Sequence, residues 1–423
     1  MYDISLWRRS NPKFSQMLEV SDIDAALVSA DFVRDPYALL DVLRERDAVH
    51  WSGSLGAWVL TRYDDIVATF KDVDSYSNEG RLARAAAYLP EPRAELTAFD
   101  AHYKTKGLLH SDPPDHTRMR RVLAPAFSPR AIDRMRPRIQ HIVDQLISHV
   151  EPQNHMDVIQ DLAFALPATV LADMMGVPVE QGPVFRVWAD RLLGFQGINR
   201  PGRALLLAAQ EALVEARAYL AELIELRRRE PGQDLISLMT AEADGATLTD
   251  AEIINTGMTL LTAGHETTTS LIGNGLLTLL QHRDQWNELR EDRSLVGSAI
   301  EEILRFESPV SRQPRLLTRD TVLSSRVLPT GDMVFQMLGA ANRDPRVFPD
   351  PATFDIHRSP NRHLAFGQGI HFCIGATLAR AEGEIVFQSV LERLPQIRLV
   401  EHVADWDTAK ANSRVLRSLP VSI

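Results

Sequence analysis

The chain is poor in cysteine, since its 423 residues contain only Cys373. A single cysteine cannot form an intramolecular disulfide, so the chain is not a disulfide-stapled secreted scaffold. A lone free cysteine is most often an inert buried thiol. The functional alternatives are a nucleophile, a redox sensor or a metal ligand, and the residues around Cys373 must decide between them.

Positive charge and long apolar runs are scarce as well. The formal net charge is −10 at pH 7, which disfavours nucleic acid as a partner. The longest apolar run, 162–172, is well short of the roughly 20 residues that a membrane span needs. The first residues, MYDISLWRRSNPKF, have neither the apolar core nor the cleavage site of a signal peptide. We therefore expect a cytoplasmic protein with no membrane and no nucleic-acid partner.

Helical periodicity dominates what is present. Apolar residues recur every three or four positions over 131–150, 204–230 and 295–306. Sequence patterns typical of strands are limited to a hairpin at 48–63 and a second short pair of strands at 321–335. No repeat, low-complexity tract or Gly/Ser linker divides the chain. The prediction is a mainly α, single-domain fold over residues 1–423, with small peripheral sheets.

The segment 248–282 predicts a helix of about thirty residues. It opens with a capping box formed by Thr249 and Glu252. Its middle reads AGHETTTS, in which glycine and three threonines are poor helix formers and a buried glutamate is costly. Local rules broken inside an otherwise good helix indicate a functional site.

Three residues of this stretch suggest what the site does. Gly264 lets a planar or diatomic group approach the backbone. The hydroxyl of Thr267 can bond to the carbonyl of Ala263 and so open the helix ladder, and Glu266 adds a titratable group. The alternative is a satisfied polar patch that lines a buried water.

Two weaker motifs accompany the helix. Glu302 and Arg305 are three apart on one helix face and can pair, although a surface ion pair has the same pattern. His116 and Arg120, in HSDPPDHTRMRRVLAPAFSPR, are four apart behind two prolines. They can clamp a carboxylate, or they can be solvated.

The cysteine lies in HLAFGQGIHFCIGATLAR, an apolar loop with glycines at 367, 369 and 375. The chain resembles the cytochrome P-450 superfamily in three motifs, which occur in the same order as in that superfamily. They are AGHET, Glu302-x-x-Arg305 and Phe366-x-x-Gly369-x-His371-x-Cys373-x-Gly375. The resemblance is to its soluble bacterial haem-thiolate monooxygenases and covers the chain from about residue 30 to the C-terminus.

The resemblance implies a cytochrome P-450 fold that holds haem b, iron protoporphyrin IX. Cys373 would be the thiolate ligand of the iron, pushing electron density towards O–O cleavage. Buried haem propionates need charge-assisted partners, which would be His116, Arg120, Arg315 and His371. The other cofactor contacts would be Ala263, Gly264, Phe366, Gly369 and Gly375. Glycine N–H groups around the sulfur would stabilise the thiolate, and bulkier residues there would keep backbone and haem apart.

The same resemblance assigns the catalytic roles. Glu266 and Thr267 would organise proton delivery to O₂, while His265 would point away from the iron or bond locally. Glu302 and Arg305 would brace the cysteine side of the haem. Two departures from the family pattern stand out, since Thr353 replaces a frequent arginine of that brace and Val415 replaces a frequent glycine.

The implied reaction inserts one oxygen atom from O₂ into a hydrophobic small molecule. The chain has no G-x-G-x-x-G fingerprint and no four-cysteine cluster, so a separate ferredoxin or flavodoxin-like donor with its reductase is expected. Four arginines that flank the cysteine-side motifs can form a docking patch for this donor, or can be solvated surface residues: Arg118, Arg121, Arg362 and Arg380.

Two rival functions remain at the level of the sequence. A same-fold enzyme can use peroxide or couple substrate carbons, and a non-catalytic haem protein can sense or store a ligand. The Glu–Thr pair argues against both. Mostly aliphatic candidate pocket walls suggest a terpenoid, steroid, fatty acid or polyketide; they are 80–100, 185–200, Leu260, Leu261, Ala263, Val310 and Val415–Leu416. In the first range, Arg81, Arg84 and Arg93 can capture an anionic group.

Overall fold

The computed structural model describes residues 20–80, 95–195, 202–242, 246–400 and 404–423, and helices make up most of them. The described helices are α1 Val20–Leu27, α2 Ala30–Arg34, α3 Tyr37–Arg46, α4 Tyr63–Lys71, α5 Thr97–Lys104, α6 Asp115–Leu123, α7 Pro129–Val150, α8 Ala165–Met175, α9 Gly182–Phe195, α10 Arg203–Arg229, α11 Leu235–Thr240, α12 Asp250–Gln281, α13 Arg283–Glu291, α14 Val296–Phe306, α15 Leu338–Ala341 and α16 Ala376–Arg393.

The strands are short and form four small sheets in the described part of the chain. The largest has five strands in the order β1–β2–β8–β5–β3, with β2 and β8 parallel. The strands are β1 Val49–Ser52, β2 Ala57–Leu60, β3 Tyr76–Ser77, β4 His155–Asp157, β5 Arg312–Leu317, β6 Thr321–Leu323, β7 Arg326–Leu328, β8 Met333–Met337, β9 Arg398–Leu399, β10 Asp405–Trp406, β11 Leu416–Ser418 and β12 Pro420–Ser422.

Helix α12 crosses the centre of the main core. Its 32 residues are buried almost throughout, and it packs against α8, α9, α10, α14 and α16. The predicted capping box is present, because the Thr249 side chain accepts from the Glu252 N–H and the Glu252 carboxylate accepts from the Thr249 N–H. A helix buried on every side is typically apolar all round, so the polar side chains that this one carries need partners inside the protein.

Most of the predicted elements are confirmed. The three periodic segments correspond to α7, α10 and α14, and 48–63 forms the β1–β2 hairpin. The second pair is more complex than predicted, since β6 and β7 form a hairpin of their own while β8 joins the large sheet beside β2 and β5. Alternation alone cannot tell which strands pair when three lie close in sequence.

One described helical stretch, Val158–Met175, is apolar and long enough to cross a membrane, and 72% of it is buried inside the protein. It contains the longest apolar run of the chain. It begins as a π-helical segment over Val158–Ala163 and continues as α8, which packs against α7, α9 and α12. A core helix passes the same test of length and composition, and this packing accounts for its apolar character.

Candidate active site

Burial along α12 is interrupted at its centre. Ala263 is exposed and Gly264, Glu266 and Thr267 are half-buried, although the residues on either side of this stretch are buried. The Thr267 hydroxyl donates to the Ala263 carbonyl over 2.7 Å, as the sequence predicts. This second donor on a ladder carbonyl loosens the helix locally. The predicted polar centre therefore lines a cleft inside the fold.

His265 is the one residue of the AGHET stretch that is buried and faces away from that cleft. His265 is fully buried, and its Nε2 donates over 2.9 Å to the carbonyl of Phe164, which lies 101 residues earlier in the chain. Burial lowers the pKa of His265 to about 4, so the ring is neutral. A Cβ atom added to Gly264 would point at Leu171 of α8 and lie 3.0 Å from its Cδ1. The missing side chain thus makes room for α8, and the approach of a planar or diatomic group to this glycine stays a prediction.

Glu266 has a partner that the sequence analysis missed. The Nζ of Lys410 pairs with its Oε2 and also donates to the Leu193 carbonyl at the end of α9 over 2.6 Å. The Lys410 and Glu266 side chains are 7% and 14% exposed, so the pair is held inside the protein. Lys410 follows β10 in an irregular segment without periodicity, 144 residues away from Glu266. No local pattern in the sequence indicates that Lys410 contacts Glu266.

A second missed acid lies on the other side of α12. Glu382 of α16 is 2% exposed, and its Oε1 has no hydrogen-bond partner. Burial raises the pKa of Glu382 to about 8, while a hydrogen bond with Thr268 opposes the shift. At neutral pH this carboxyl therefore holds a proton next to the helix that carries Glu266 and Thr267.

The loop around Cys373 is fixed by its backbone. The Cys373 N–H donates to the Phe366 carbonyl over 2.9 Å, and the Phe366 ring lies under the Arg380 guanidinium, 4.5 Å from its centroid. The Cys373 side chain is exposed, but the protein atoms around it exclude enough solvent to raise the pKa of the thiol, while the Gly375 N–H and the Arg120 and Arg380 guanidinium groups favour the thiolate. The predicted N–H donor to the sulfur is thus present at Gly375.

The glycines of this loop differ in what requires them. Gly369 has φ +75°, and a Cβ there would lie 2.7 Å from the Phe70 carbonyl oxygen. The backbone of α4 therefore requires this glycine, whether or not a cofactor also approaches it closely as the resemblance implies. Gly375 has φ −83°, and its Cβ would lie in ordinary contact, 3.9 Å from Cys373 Sγ.

Cationic and neutral donors converge beside this loop. The His116 and His371 rings are 4.1 Å apart between centroids, and both nitrogens of the buried His116 lack a partner. Arg315 is 4% exposed and lines one cavity with His371 and Asp112. Arg120 donates to the Phe372 carbonyl over 2.8 Å. All four residues predicted to hold propionates thus lie around the Cys373 loop.

Three groups beside this loop carry strongly shifted pKa values. Burial lowers the pKa of Arg315 to about 10, although Asp112 opposes the shift, so this side chain stays cationic. Burial tends to raise the pKa of Asp112, but hydrogen bonds from His371 and Ser77 prevail and lower it to about 2. Burial likewise lowers the pKa of His116 to about 4, so this ring is a neutral donor.

The Glu302–Arg305 pair is fully buried, with both side chains 0% exposed and Nη2 2.7 Å from Oε1. Thr353 contributes only its carbonyl, which accepts from Arg305 over 3.0 Å. The missing arginine is replaced by Arg358, whose Nε donates to Glu302 over 3.2 Å, and by Asn361 at 3.1 Å. The network is therefore complete in spite of Thr353.

The structure describes some of the residues predicted to line the substrate pocket. Leu260 and Leu261 are buried in α12, and Val310 bridges to Ser413. The half-buried Val415 accepts the Asp407 N–H over 2.8 Å. The loop arginines proposed as anion binders, Arg81, Arg84 and Arg93, lie outside the described residues.

The four arginines of the expected docking patch divide into two pairs. Arg118 binds Glu252, and Arg380 binds Glu301 over 2.6 Å. Arg121 and Arg362 are exposed. Half of the predicted patch is therefore neutralised by acids of the same chain.

Comparison with known proteins identifies the family. The cytochrome P450 family model matches residues 204–420. The polyketide biosynthesis cytochrome P450 PksS of Bacillus subtilis (strain 168) is 36% identical over 402 residues, 93% of this chain and 97% of the relative. The biotin biosynthesis cytochrome P450 of the same strain is 37% identical over 407 residues, 95% of this chain and 99% of the relative.

A solved structure agrees with these relatives. The crystal structure of P450BioI in complex with hexadec-9Z-enoic acid ligated acyl carrier protein has a TM-score of 0.84 to this fold at 36% identity. The match covers 93% of this chain and 100% of that chain. With its helical fold, its buried Glu–Arg network and its single cysteine in a glycine-bearing loop, the chain belongs to the cytochrome P450 family of haem monooxygenases.

Proposed function

We propose that this enzyme inserts one oxygen atom from O₂ into a hydrophobic small molecule, by hydroxylation or epoxidation, with electrons from a separate protein. The observation that carries the proposal is the interrupted centre of α12. There a carboxylate and a hydroxyl, Glu266 and Thr267, line a cleft in the middle of a helix that is otherwise almost entirely buried. A protein that only bound a haem ligand would have no use for an acid and a hydroxyl placed to move protons.

The residues around the cleft fit a haem b group. Cys373 offers a thiolate with an N–H donor from Gly375, and Phe366 shields the loop. His116, with both ring nitrogens lacking a partner, and the buried Arg315 suit the anionic propionates, with Arg120 and His371 beside them. Buried donors of this kind are costly unless a ligand satisfies them. Ala263, exposed within α12, would form the opposite wall.

The bound haem iron would supply the activation of O₂ and the transfer of one oxygen atom. The chain supplies protons and a dry cleft. The Thr267 hydroxyl can release the Ala263 carbonyl and turn into the cleft as a donor. Lys410 holds the Glu266 carboxylate at 14% side-chain exposure, where it can pass a proton from the direction of Lys410 to Thr267. Glu382 would hold a further proton behind α12.

Electrons would arrive from a ferredoxin or flavodoxin-like donor with its own reductase, in the cytoplasm. The exposed Arg121 and Arg362 lie next to residues of the Cys373 face, since Arg120 bonds to Phe372. An acidic donor docking there would have a short path to the haem. The rest of the chain would serve a single haem domain.

The experiment is turnover with a surrogate ferredoxin and reductase under labelled O₂, once a substrate is found by its shift of the Soret band. We expect NADH consumption and a product that carries one labelled oxygen atom. The reduced protein with carbon monoxide should show the strongly red-shifted Soret band of thiolate ligation. Product without labelled oxygen would favour peroxide use or carbon coupling, and neither product nor substrate-dependent NADH consumption would favour a non-catalytic role.

A further inference from the structure

Glu301 joins two helices on the cysteine side of the protein. It lies on α14, directly before the buried Glu302, and its carboxylate accepts from the Arg380 guanidinium of α16. The two bonds run from Nε over 2.6 Å and from Nη2 over 2.8 Å, one to each carboxylate oxygen. A bidentate pair of this kind fixes the orientation of the guanidinium as well as its position. Arg380 is therefore held in one place by an acid from another helix.

A second donor, His363, ties the same carboxylate to the start of the Cys373 loop. The Nδ1 of His363 accepts from the Ala365 N–H over 3.2 Å, so the ring carries its proton on Nε2. This Nε2 donates to Glu301 Oε2 over 3.0 Å. Burial tends to raise the pKa of Glu301, but hydrogen bonds from Arg380 and His363 prevail and lower it to about 2. The carboxylate is therefore ionised at neutral pH.

The Arg380 guanidinium lies next to the backbone that carries Cys373. It stacks over the Phe366 ring, 4.5 Å from the centroid, and the Phe366 carbonyl accepts from the Cys373 N–H over 2.9 Å. The His363 ring borders the same aromatic ring, with 6.0 Å between centroids. Arg380 is one of the cations that favour the Cys373 thiolate against the effect of burial. Its charge therefore acts on the sulfur from a fixed position.

Glu301 also offsets the charge that it holds in place. The Glu301 and Arg380 side chains are 29% and 34% exposed, so solvent screens their charges only in part. A further acid, Glu384, lies four positions after Arg380 on α16, but it is engaged by Arg136 over 2.6 Å. Glu301 is therefore the acid that decides how much of the Arg380 charge reaches Cys373.

We propose that Glu301 is a positioning residue for electron entry: it holds Arg380 beside Cys373, offsets its charge, and so sets the reduction potential of the bound haem. This rests on the proposed function, in which Cys373 is the thiolate ligand and a separate protein donates one electron at a time. Reduction adds one negative charge beside the thiolate. A neighbouring cation therefore favours the reduced form and a neighbouring anion disfavours it.

The test is reductive titration of the purified haem-loaded protein at low salt, with the reduction potential read from the haem spectrum. Glu301→Gln removes the charge but keeps an oxygen that can accept from Arg380, and the Phe366 ring still holds the guanidinium. The one-electron equilibrium should therefore shift towards the reduced haem by about three- to tenfold, where tenfold corresponds to about 59 mV. Arg380→Gln should shift it by a similar factor in the opposite direction. The double variant Glu301→Gln/Arg380→Gln should return close to the wild type.

Glu151→Gln is the matched control, because it removes a carboxylate from another ion pair of the same helix. Glu151 pairs with Arg393 over 2.7 Å, and the two side chains are 37% and 24% exposed, much like the first pair. Arg393 ends α16, roughly 20 Å along the helix from Arg380. Glu151→Gln should therefore keep the wild-type potential, and a shift equal to that of Glu301→Gln would overturn the proposal.

Opposite shifts that cancel in the double variant separate this role from a structural one, because loosening of the loop would move both single variants in one direction. Shifts of the same sign in Glu301→Gln and Arg380→Gln, or wild-type potentials in both, would overturn the proposal. If Glu301→Gln does not fold, Arg380→Gln decides, because an unchanged or raised potential there contradicts the proposal.

The carbon monoxide complex of the reduced protein distinguishes this proposal from the one on which it rests. A histidine-type Soret band in the wild type would overturn the thiolate assignment and this proposal together. A thiolate band with unchanged potentials in the variants would overturn this proposal alone. The potential needs no turnover, so failure of the monooxygenase assignment would appear separately, in the labelled-oxygen experiment.

Discussion

The Thr267 hydroxyl bonds to the carbonyl of Ala263, 2.7 Å away, although that carbonyl also belongs to the helix ladder. Such bonding of a side chain to the carbonyl four residues earlier slightly destabilises a helix, and alanine or leucine at this position would favour the helix more. Thr267 is also only half-buried, unlike Thr268 and Thr269 after it. These two facts together single it out from the other threonines of the stretch.

Replacing Thr267 by alanine should uncouple NADH consumption from product formation. The variant keeps Cys373 and most of the cleft, so substrate binding should persist. Positioned proton transfer contributes about 10²–10⁴-fold, so hydroxylated product per NADH should fall at least about tenfold while hydrogen peroxide rises. Thr269→Ala, two residues along and buried, is the control, because its hydroxyl bonds only to backbone carbonyls. Coupling in Thr267→Ala equal to that of the wild type would remove the hydroxyl from the mechanism.

Glu266→Gln should have a different effect, because it removes the titratable member and leaves the hydroxyl. Overall turnover should slow, while coupling falls less than in Thr267→Ala. The substitution also leaves Lys410 as a buried cation without its acid, which is destabilising. The double variant Glu266→Gln/Lys410→Met should recover stability but not turnover. Recovery of turnover would show that Glu266 acts only by neutralising Lys410.

Glu382 predicts a pH dependence of stability. Its pKa is about 8 in the folded protein, against an ordinary value of 4.5, so the folded state binds a proton there that the unfolded state has released. The stabilisation is fully present below about pH 4.5 and is lost as the pH rises towards about 8. Glu382→Gln should remove this loss, so its melting temperature should gain on the wild type between about pH 5 and about pH 8. Glu392→Gln, exposed on the same helix, should follow the wild type. A constant difference between Glu382→Gln and the wild type across this range would contradict the assignment.

At the scale of elements, the sequence predicts helix α12 well and its surroundings poorly. The capping box, the apolar periodicity and the bond from Thr267 to Ala263 all depend on residues close in sequence. Lys410 reaches Glu266 across 144 residues from an irregular segment, and no local pattern signals such a contact. The contact between Gly264 and Leu171 could not be predicted for the same reason, because Leu171 belongs to another helix.

The Cys373 loop allows a sharp test of why its glycines are present. Gly369→Ala should lower the free energy of unfolding by about 1–2 kcal/mol from its left-handed φ alone, with a further loss from the clash with the Phe70 carbonyl. Gly375→Ala should cost less than about 0.5 kcal/mol, because its φ is negative and its Cβ has room. Denaturant unfolding of both variants measures the difference. Similar losses in the two would show that the α4 backbone is not what requires Gly369.

At the scale of the whole molecule, buried charge joins segments that are far apart in sequence. Glu302 on α14 binds Arg305 on the same helix and Arg358 from the irregular segment before the Cys373 loop. The sequence reveals the first contact, because the two residues are three apart on a helix. It could not reveal the second, since a long loop without periodicity gives no indication of which of its residues turns inward. The presence of Thr353 in place of the frequent arginine therefore leaves the Glu302 network complete.

The division of the four arginines at the cysteine face leads to a prediction about the electron donor. Arg118 and Arg380 are held by Glu252 and Glu301, so they contribute little net charge to a partner. Arg121 and Arg362 are exposed and should attract an acidic donor. Arg121→Glu/Arg362→Glu should therefore raise the KM for the donor by about tenfold or more at low salt, with substrate binding unchanged.

Salt distinguishes this docking role from a structural one. Screening weakens exposed charge pairs beyond about 8 Å at physiological ionic strength, so the wild-type KM should rise steeply with added salt and that of the double variant should not. Arg229→Glu, the same charge reversal at the exposed end of α10, is the control, because α10 lies away from the Cys373 loop in the chain and makes its contacts with α5, α9, α11 and α12. An equal rise in KM for Arg229→Glu would mean that the donor responds to net charge alone. An unchanged KM for the donor in Arg121→Glu/Arg362→Glu would show that the donor docks on a surface without these two arginines.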